Sequence, residues 1–370
     1  MSDDKIFSII DFGKSKVRLG VFANHLPNSK YICEFKVDEL IDKNRLKEII
    51  IETENKIDSH LKNINIMIDN SDILSVDYSI KNKIDGILLD ENFIKSQILE
   101  TKNIIENNYK SYLVSHLLVK DYVLDNVIKD NAPINLMGNC LIINLKFILI
   151  PKKITFEIRE IFKSNHIMIN NIFNSSYIKS SYYCNFYQNF ETKVFIDIGF
   201  KKTSVLIYYK NKLQYINYIK IGSDHITRDI SKVLNKTIKE SENLKINLDE
   251  QSKGLNHQSD NLLVKVIHAR VEEIIDLSFV DFKNFDYIKQ SSSILIFTGE
   301  GSNVLIKNPI YLKQEYNVFN EMSIFDENRD KICTSAHNYS SSEKQYEAVI
   351  LPKKPLKKGF FEKLFHMFPK

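Results

Sequence analysis

The sequence predicts an α/β protein built from two related halves, and three short segments carry that prediction. A hydrophobic strand, an Asp-x-Gly turn and a returning strand occur first around Asp11 and Gly13. The same pattern returns around Asp197 and Gly199. Each copy has the features of a hairpin whose glycine gives access to positive φ. The third segment, 293–302, is a buried strand that ends in a Gly-rich turn.

The two hairpins lie far apart in the chain, which predicts a duplication. A single Asp-x-Gly turn is weak evidence, because β-turns beside an aspartate are common. Two copies in one chain instead predict half-molecules that face each other. An aspartate and the turn amides of each half are suited to holding a nucleotide phosphate and its Mg²⁺ between them.

The composition is that of a soluble globular protein. The 370 residues are enough for two domains, and 43% of them are hydrophobic and 26% charged. A net charge of +4 is small for this length and does not indicate nucleic-acid binding. The four cysteines are scattered, which argues against a disulfide framework or zinc site and favours a reducing cytosol. The start lacks signal-peptide features, the longest apolar stretch is too short to span a bilayer, and no hydrolase, metalloprotease or P-loop motif occurs.

Hydrophobic spacing predicts the elements that follow each hairpin. In the first half these are a helix over 46–61, a strand over 64–68, a short strand over 87–89, a helix over 91–107, strands over 111–119, 122–128 and 140–150, a helix over 152–164, a strand over 167–173 and a helix over 175–187. In the second half they are a strand over 213–221, a helix entered through 222–230, a polar stretch over 249–260 and an amphipathic helix over 262–277. The folded part is expected to end near residue 341.

The two hairpins and the Gly-rich turn resemble, in the expected order, the two phosphate loops and the adenosine loop of the actin-like and sugar-kinase superfamily. The resemblance implies the actin-like (ribonuclease H-like) duplicated fold, with ATP between the halves and Mg²⁺ oriented through water by Asp11 and Asp197. No catalytic residue stands out, so ATP hydrolysis is expected to be slow or absent. The expected nucleotide-binding residues are Asp11, Gly13, Lys14, Ser15, Lys16, Asp197, Gly199, Lys202, Thr203, Gly222, Glu242, Lys245, Gly299 and Gly301.

Four further segments resemble the bacterial cell-division family FtsA. Segment 129–138 is similar to that family's Asn-Pro-x-Gly-Met-x-Gly signature, and 117–125 falls where the family has a strand ending in Tyr-x-Leu-Asp. Segment 222–230 matches the family's Gly-x-x-x-(Ile/Val)-Thr-x-Asp-Ile, and 241–245 falls at its Ala-Glu-x-(Ile/Leu)-Lys beside the adenosine. The resemblance covers nearly the whole chain.

The FtsA resemblance implies six parts. They are a first core subdomain at 1–81 and 160–190, an inserted α+β subdomain of FtsA type at 82–159, a second core subdomain at 191–226 and 291–341, a smaller subdomain of the second half at 227–290, a flexible linker at 342–358 and an amphipathic helix at 359–370.

Two loops depart from the family pattern. The second phosphate loop of the family reads Asp-(Ile/Leu)-Gly-Gly-Gly-Thr, whereas Phe200 and Lys201 replace two of those glycines here. Side chains limit how closely the backbone approaches a phosphate, and the charge of Lys201 or Lys202 is expected to replace part of the lost amide dipoles. Glu300 stands where a second glycine is usual in the adenosine loop, and the chain between 245 and 262 is shorter than in the family. These departures argue against tight nucleotide binding.

The last residues predict a membrane anchor. They follow a basic, proline-containing linker, and at about 100° per residue their apolar side chains fall on one arc of a helix. A lone short helix is marginal in water, which favours an interfacial helix over one docked on the protein's own core. Its place matches the membrane-targeting sequence of FtsA. The expected membrane-binding residues are Phe360, Phe361, Lys363, Leu364, Phe365 and Phe368.

The FtsA resemblance implies a peripheral cell-division protein at the cytoplasmic face of the inner membrane, at the division site. Implied partners are an anionic membrane surface, further copies in a filament, other divisome proteins and the C-terminal peptide of the tubulin-like FtsZ. The peptide is expected near 227–290, where Lys265, His268 and Arg270 lie along the 262–277 helix. The alternative is that these charges only form a solvated face.

Three other functions stay open at this point. The first is the pilus-assembly relative of FtsA, which shares the insert and the nucleotide fold. The second is a sugar or acetate kinase or an exopolyphosphatase on the same duplicated fold, for which no substrate motif is found. The third is an adaptor that keeps the fold and has lost the nucleotide.

Overall fold

The structure is a computed structural model that describes residues 6–37, 43–247, 257–280, 282, 285–307 and 318–341. These residues belong to two compact units. The larger unit consists of the described residues of Met1–Val76, Ser111–His116 and Phe147–Ser342. The smaller unit contains Asp77–Lys110 and Leu117–Lys146. These ranges overlap the insert that the sequence predicts over 82–159.

The first sheet of the larger unit contains the Asp11 hairpin. Strand β1 (Phe7–Phe12) pairs antiparallel with β2 (Lys16–Phe22), which pairs antiparallel with β3 (Lys30–Lys36). On its other side β1 pairs in parallel with β4 (Asn63–Ile68), and β4 pairs in parallel with β9 (Met168–Asn174). The strand order is therefore β3-β2-β1-β4-β9.

The second sheet repeats this arrangement. Strand β10 (Thr192–Ile198) pairs antiparallel with β11 (Thr203–Tyr209), and β11 pairs antiparallel with β12 (Lys212–Ile219). Strands β13 (Ser293–Thr298) and β14 (Glu321–Ile324) continue the sheet in parallel on the other side of β10. The order β12-β11-β10-β13-β14 matches that of the first sheet position by position. The predicted duplicated α/β fold is confirmed.

The third sheet has four strands and overlaps the segment that the sequence predicts as an inserted subdomain. It has the order β5-β8-β6-β7, with β5 at Leu74–Lys83, β6 at Tyr112–Leu124, β7 at Val127–Lys129 and β8 at Cys140–Pro151. Its helix α2 (Glu91–Asn108) begins where the Asp90 side chain accepts a hydrogen bond from the amide of Phe93. Such capping satisfies one of the free amides at a helix start.

The other α-helices lie between the strands and at the end of the described chain. They are α1 (Lys43–Ile57), α3 (Lys152–Ser164), α4 (Ser175–Tyr183), α5 (Ser223–Leu234), α6 (Ile238–Ile246), α7 (His257–Phe279), α8 (Tyr287–Gln290), α9 (Asn303–Lys307) and α10 (Arg329–Ser341). None of the described helices is both long enough and apolar enough to cross a bilayer.

The core of the second half joins its sheet to its long helices. Strands β10 and β11 contribute Ile196 and Val205, helix α5 contributes Ile230, and α7 contributes Ile267 and Ile274, all of which are buried in one cluster. The residues predicted as a smaller subdomain over 227–290 thus share a core with the sheet. This packing fixes α5 beside the second hairpin.

Several predicted elements differ from the observed ones. Residues 87–89 form only a single bridge, from Leu88 to Met137, instead of a strand. The break predicted between 119 and 122 is absent, because the turn lies later, at Asp125 and Asn126, which have φ of 46° and 68°. Aspartate and asparagine tolerate this left-handed conformation better than most residues. Strands β3, β5 and β14 were not predicted.

Candidate functional site

The first hairpin brings Asp11 and Arg18 face to face. The two residues pair in register across β1 and β2, so their side chains emerge on the same face of the sheet. Arg18 Nη1 lies 3.1 Å from Asp11 Oδ2. The hydroxyl of Ser175, at the start of α4, donates to Asp11 Oδ1 at 2.9 Å. Both carboxylate oxygens of the buried Asp11 therefore have protein partners.

The second hairpin presents Asp197 to a lysine from the first half. Lys179 of α4 places its Nζ 3.2 Å from Asp197 Oδ2 and 3.1 Å from Glu327 Oε1. Glu327 also accepts a hydrogen bond from the hydroxyl of Tyr183 at 2.9 Å. A buried ammonium thus lies between two carboxylates at the junction of the two halves.

Lys202 of the second hairpin turns into the protein. Its Nζ lies 2.6 Å from Asp69 Oδ1 and 2.8 Å from the hydroxyl of Ser204, and it lies 4.2 Å from the centre of the Tyr218 ring. Asp69 directly follows β4 and so belongs to the first half. The charge that was expected to replace phosphate-loop amides is instead engaged by a carboxylate, while Lys201 is exposed.

Glu300 ties the adenosine-type loop to the first sheet. Its Oε1 lies 2.7 Å from Lys16 Nζ and 2.5 Å from Arg18 Nη2. The Nε of the same arginine lies 2.8 Å from Glu34 Oε2. The residue found in place of a usual glycine is therefore an anchor for basic side chains of β2.

The residues expected to face the adenosine contact one another. Lys245 Nζ lies 2.8 Å from Glu242 Oε2 and 2.8 Å from the Thr227 hydroxyl oxygen. The Thr227 hydroxyl donates to Glu242 Oε2 at 2.5 Å. These contacts attach α6 to α5, and the Lys245 side chain is buried.

Two glycines allow close packing of the loops around the second hairpin. A Cβ at Gly222 would lie 2.6 Å from the carbonyl oxygen of Gly199 and 2.7 Å from the amide nitrogen of Lys202. Gly299 has a φ of +84°, and a Cβ there would lie 2.5 Å from Asp197 Oδ1. Both glycines thus accommodate neighbouring protein atoms.

The charged side chains surround a cavity of about 210 Å³ in the larger unit. Of the predicted nucleotide-binding residues, those that line it are Asp11, Gly13, Lys14, Ser15, Asp197, Gly199, Lys202 and Gly299. Those placed elsewhere are Lys16, Thr203, Gly222, Glu242, Lys245 and Gly301. Most of the predicted phosphate-side residues are therefore gathered around one cavity together with Gly299, whereas Glu242 and Lys245 of the adenosine side lie outside it.

Burial shifts the acidic groups of the cavity towards their neutral forms. It raises the pKa of Asp11, and the nearby positive charges of Arg18 and Lys179 only partly offset it. It also raises the pKa of Glu327, again against the opposing effect of Lys179. These two carboxyl groups therefore depend on their cationic neighbours to remain ionised.

Ion pairing outweighs burial in setting the pKa values of Asp69 and Lys179. Burial alone would raise the pKa of Asp69, but the charge and hydrogen bond of Lys202 outweigh it and hold that pKa below its usual value. Burial alone would lower the pKa of Lys179, but Asp197 and Glu327 outweigh it and raise that pKa. Lys179 is therefore a permanent cation at neutral pH.

Four charged residues of the site were missed from the sequence. Arg18 and Lys179 each interrupt an otherwise uncharged, largely buried stretch, and a charge in such a stretch requires a partner. Asp69 follows the strand that pairs in parallel with β1, which places it near Asp11 at the same sheet edge. These signals were readable. Glu327 follows β14, which was not predicted, so no signal pointed to it.

The resemblance implies ATP and Mg²⁺ in this cavity, and the residues present do not fit that group. Magnesium is usually held by one or two carboxylates together with phosphate oxygens and water. The expected carboxylates, Asp11 and Asp197, are engaged by Arg18 and Lys179.

Of the predicted membrane surface and the predicted peptide surface, the structure describes only the second. The linker over 342–358 and the membrane helix with Phe360, Phe361, Lys363, Leu364, Phe365 and Phe368 lie outside the described residues. On α7, Lys265 is exposed, but Arg270 lies 2.6 Å from Asp229 and 2.5 Å from Glu273. Arg270 is therefore already paired within the protein.

Residues 194–336 match the family described as "Cell division protein FtsA", which is less than half of the chain. No curated protein matches the sequence of this chain. Among solved structures, a chain of the PilM-PilN type IV pilus biogenesis complex is similar at 9% identity, with 89% of each chain covered and a TM-score of 0.55. The ethanolamine utilization protein EutJ from Carboxydothermus hydrogenoformans is similar at 8% identity, with 90% of this chain and 88% of that chain covered and a TM-score of 0.50. MreB5 of Spiroplasma citri bound to ADP gives 10% identity, 90% and 96% coverage and a TM-score of 0.49. The chain has the actin-like ATPase fold, and its second half carries the match to the FtsA family.

Proposed function

We propose that this chain is an actin-like adaptor of the FtsA type, which tethers a tubulin-like division polymer of the FtsZ class to the cytoplasmic face of the inner membrane at the division site. The observation that carries the proposal is the FtsA-family match over 194–336. That segment is the half of the molecule on which the resemblance places the C-terminal peptide of FtsZ. Binding of ATP is not part of the proposal, because the cavity does not fit Mg²⁺ and a nucleotide.

The peptide site is proposed on the outer face of α7. One face of this helix is buried through residues such as Ile267 and Ile274, which leaves Leu262, Lys265 and Leu277 exposed. An exposed lysine beside aliphatic side chains suits a peptide that carries both acidic and hydrophobic residues. Arg270 is left out of this site because it is paired within the protein.

The membrane contact is proposed for the C-terminal helix over 359–370. Burial of a phenylalanine contributes roughly 1.5–3 kcal/mol, and a lysine near anionic lipid contributes about 1 kcal/mol. Ordering a short helix offsets much of this free energy, so a single tail is a weak and reversible anchor. An assembly that presents several tails binds much more strongly by avidity.

Self-association is proposed through the insert, whose surface carries seven exposed apolar side chains. Backbone hydrogen bonds join the segment around Gly86 to that around Gly138, and Asp125 accepts from the amide of Asn139. This brings several loops and the β6–β7 hairpin together. Exposed contiguous apolar surface is typical of protein interfaces. The exposed side chains are those of Ile87, Leu88, Val127, Ile128, Ile134, Leu136 and Met137, which we call the insert patch.

The competing proposal is the pilus-assembly role. The whole-chain likeness to a chain of the PilM-PilN complex concerns the fold alone, because only 9% of the residues are identical. Binding to the FtsZ peptide separates the two functions, since an adaptor for pilus proteins has no use for that peptide. A small-molecule kinase is not favoured by any contact in the cavity.

The test is co-sedimentation of the full chain with anionic liposomes, with and without FtsZ. Wild-type protein should pellet and should bring FtsZ with it, whereas Phe361→Glu with Phe365→Glu should leave both in the supernatant. Phe156→Glu is the control for placing a glutamate at an exposed phenylalanine outside the tail, because Phe156 is 64% exposed on α3; it adds one negative charge, against two in the tail variant. Lys265→Glu should keep membrane binding and lose FtsZ. If wild type pellets without ever recruiting FtsZ, the proposed function is wrong.

A further inference from the structure

The cavity between the two hairpins is crossed by ion pairs that join one half of the larger unit to the other. Lys179 of the first half meets Asp197 of the second, Lys202 of the second meets Asp69 of the first, and Arg18 meets Glu300. We call these contacts the cross-half ion pairs. We propose that they replace a bound Mg²⁺-nucleotide, so that the two halves are held together without ATP.

The first support is that the oxygens a metal would need are occupied. Asp11 accepts from Arg18 on one oxygen and from Ser175 on the other. Asp197 has both oxygens within 3.3 Å of the Lys179 ammonium. A divalent ion could reach these carboxylates only if buried cations were displaced, and a displaced buried cation leaves other carboxylates unpaired.

The second support is that part of the backbone of the second hairpin's turn is already engaged within the protein. The amide of Gly199 donates to the carbonyl oxygen of Lys202 at 2.9 Å, which closes the hairpin. The carbonyl oxygens of Gly199 and Phe200 accept from the amides of Ser223 and Asp224 at 2.9 and 2.8 Å. The start of α5 is thereby packed against the turn, where Gly222 leaves no room for a Cβ.

The third support is the charge of the cavity. Among the side chains that line it, five are basic and five are acidic, so their formal charges cancel without a ligand. A nucleotide with its Mg²⁺ brings further negative charge. Three of the basic residues, Arg18, Lys179 and Lys202, are also already in contact with carboxylates, so a nucleotide that used them would have to break short ion pairs before it could form its own.

The consequence is a regulatory difference from a nucleotide switch. In a protein whose halves are bridged by a nucleotide, exchange and hydrolysis change the contacts between the halves. Here the contacts belong to the chain itself and persist as long as Lys179, Lys202 and Arg18 stay charged. Attachment to partners is then controlled by the concentrations of the chain, the membrane and the partner.

The experiment uses the full chain and measures ATP binding by calorimetry and melting temperature by scanning fluorimetry. Wild-type protein should give no saturable heat with ATP and Mg²⁺, and its melting temperature should not change. The Lys179→Ala protein should melt at a lower temperature than wild type. Mg²⁺ without nucleotide should raise the melting temperature of this variant, because the ion can then occupy the position of the lost ammonium between Asp197 and Glu327. Sodium chloride at equal ionic strength should not have this effect.

Lys201→Ala is the matched control, since it removes the same charge from an exposed lysine at the edge of the same cavity and should behave as wild type. Saturable ATP binding by the wild type overturns the proposal, and this arm decides even if Lys179→Ala does not fold. A folded Lys179→Ala protein that ignores Mg²⁺ would also contradict it, because the ammonium would then not occupy a metal-like position. Neither result bears on FtsZ recruitment, so this inference and the proposed function can fail separately.

Discussion

Replacing Lys202 with methionine tests whether its ammonium serves Asp69 as an internal partner. The two groups are 2.6 Å apart, and their side chains are 4% and 24% exposed. Removal of one partner of a buried ion pair costs about 3–5 kcal/mol, because the other charge is left unpaired. Asp69 keeps a hydrogen bond from Ser176 and some contact with water, so we expect the lower end, about 3 kcal/mol of lost unfolding free energy.

A double-mutant cycle isolates the pair from the general effect of each change. Lys202→Met and Asp69→Asn should each lower the free energy of unfolding. The double variant should lose less free energy than the two single losses added together, and the difference, the coupling energy, should be about 1–3 kcal/mol. Urea unfolding followed by circular dichroism measures all four proteins, and equal slopes show that the unfolded states are comparable. Lys201→Met, at the exposed neighbour, should stay within about 0.5 kcal/mol of wild type.

The pH dependence of the same variants identifies the interaction as ionic. Because Lys202 holds the pKa of Asp69 below its ordinary value of 3.8, the pair stabilises the fold above that pH and loses its effect as pH falls through the lower native value. The difference between wild type and Lys202→Met should therefore shrink in acid. A coupling near zero, or a difference that does not change with pH, would refute the assignment of Lys202 to Asp69.

Two further predictions concern the insert patch and the alkaline limb of stability. Ile128 is 70% exposed, so Ile128→Asp should leave the fold intact but flatten the steep concentration dependence of liposome binding. The control Ile51→Asp, at an exposed position on α1, should keep the steep dependence. Equal sedimentation curves for the two variants would show that the insert patch does not take part in self-association. Because Asp197 and Glu327 outweigh burial and raise the pKa of Lys179, its stabilising effect is complete below the ordinary lysine value of 10.5 and is lost as pH rises further. The urea midpoint of wild type should therefore fall more steeply above pH 10.5 than that of Lys179→Ala, and parallel curves would contradict the assignment.

The duplicated fold could be predicted because its signals are local. A buried strand, a turn aspartate with glycine and a returning strand lie within a few residues of one another, and two copies mark the two sheets. The gathering of Asp11 and Asp197 around one cavity follows from that duplication. Strand β5 escaped because its residues are mostly half exposed and polar, so hydrophobic spacing gave no contrast.

The chemistry of the cavity could not be predicted as readily, because it depends on contacts between distant residues. The sequence shows a lysine at 202 but not whether its side chain meets a ligand or Asp69, which lies in the other half of the chain. The same holds for Lys179 and its two carboxylates. The substitutions at Phe200 and Glu300 could be read from the sequence, but the side chains that Glu300 contacts could not.

The cross-half ion pairs are better understood as a source of geometry than of stability. Buried ion pairs often contribute no more to folding than apolar residues of the same volume, since desolvation offsets much of the attraction. What they require is one arrangement, because each carboxylate is satisfied only when a particular cation from the other half is in place. In the larger unit, Lys179 and Lys202 run in opposite directions across the cavity, one from each half, so a shift of either half would break both. For the proposed adaptor, such a constraint would hold the two halves of the larger unit in one relation whether or not a nucleotide is present.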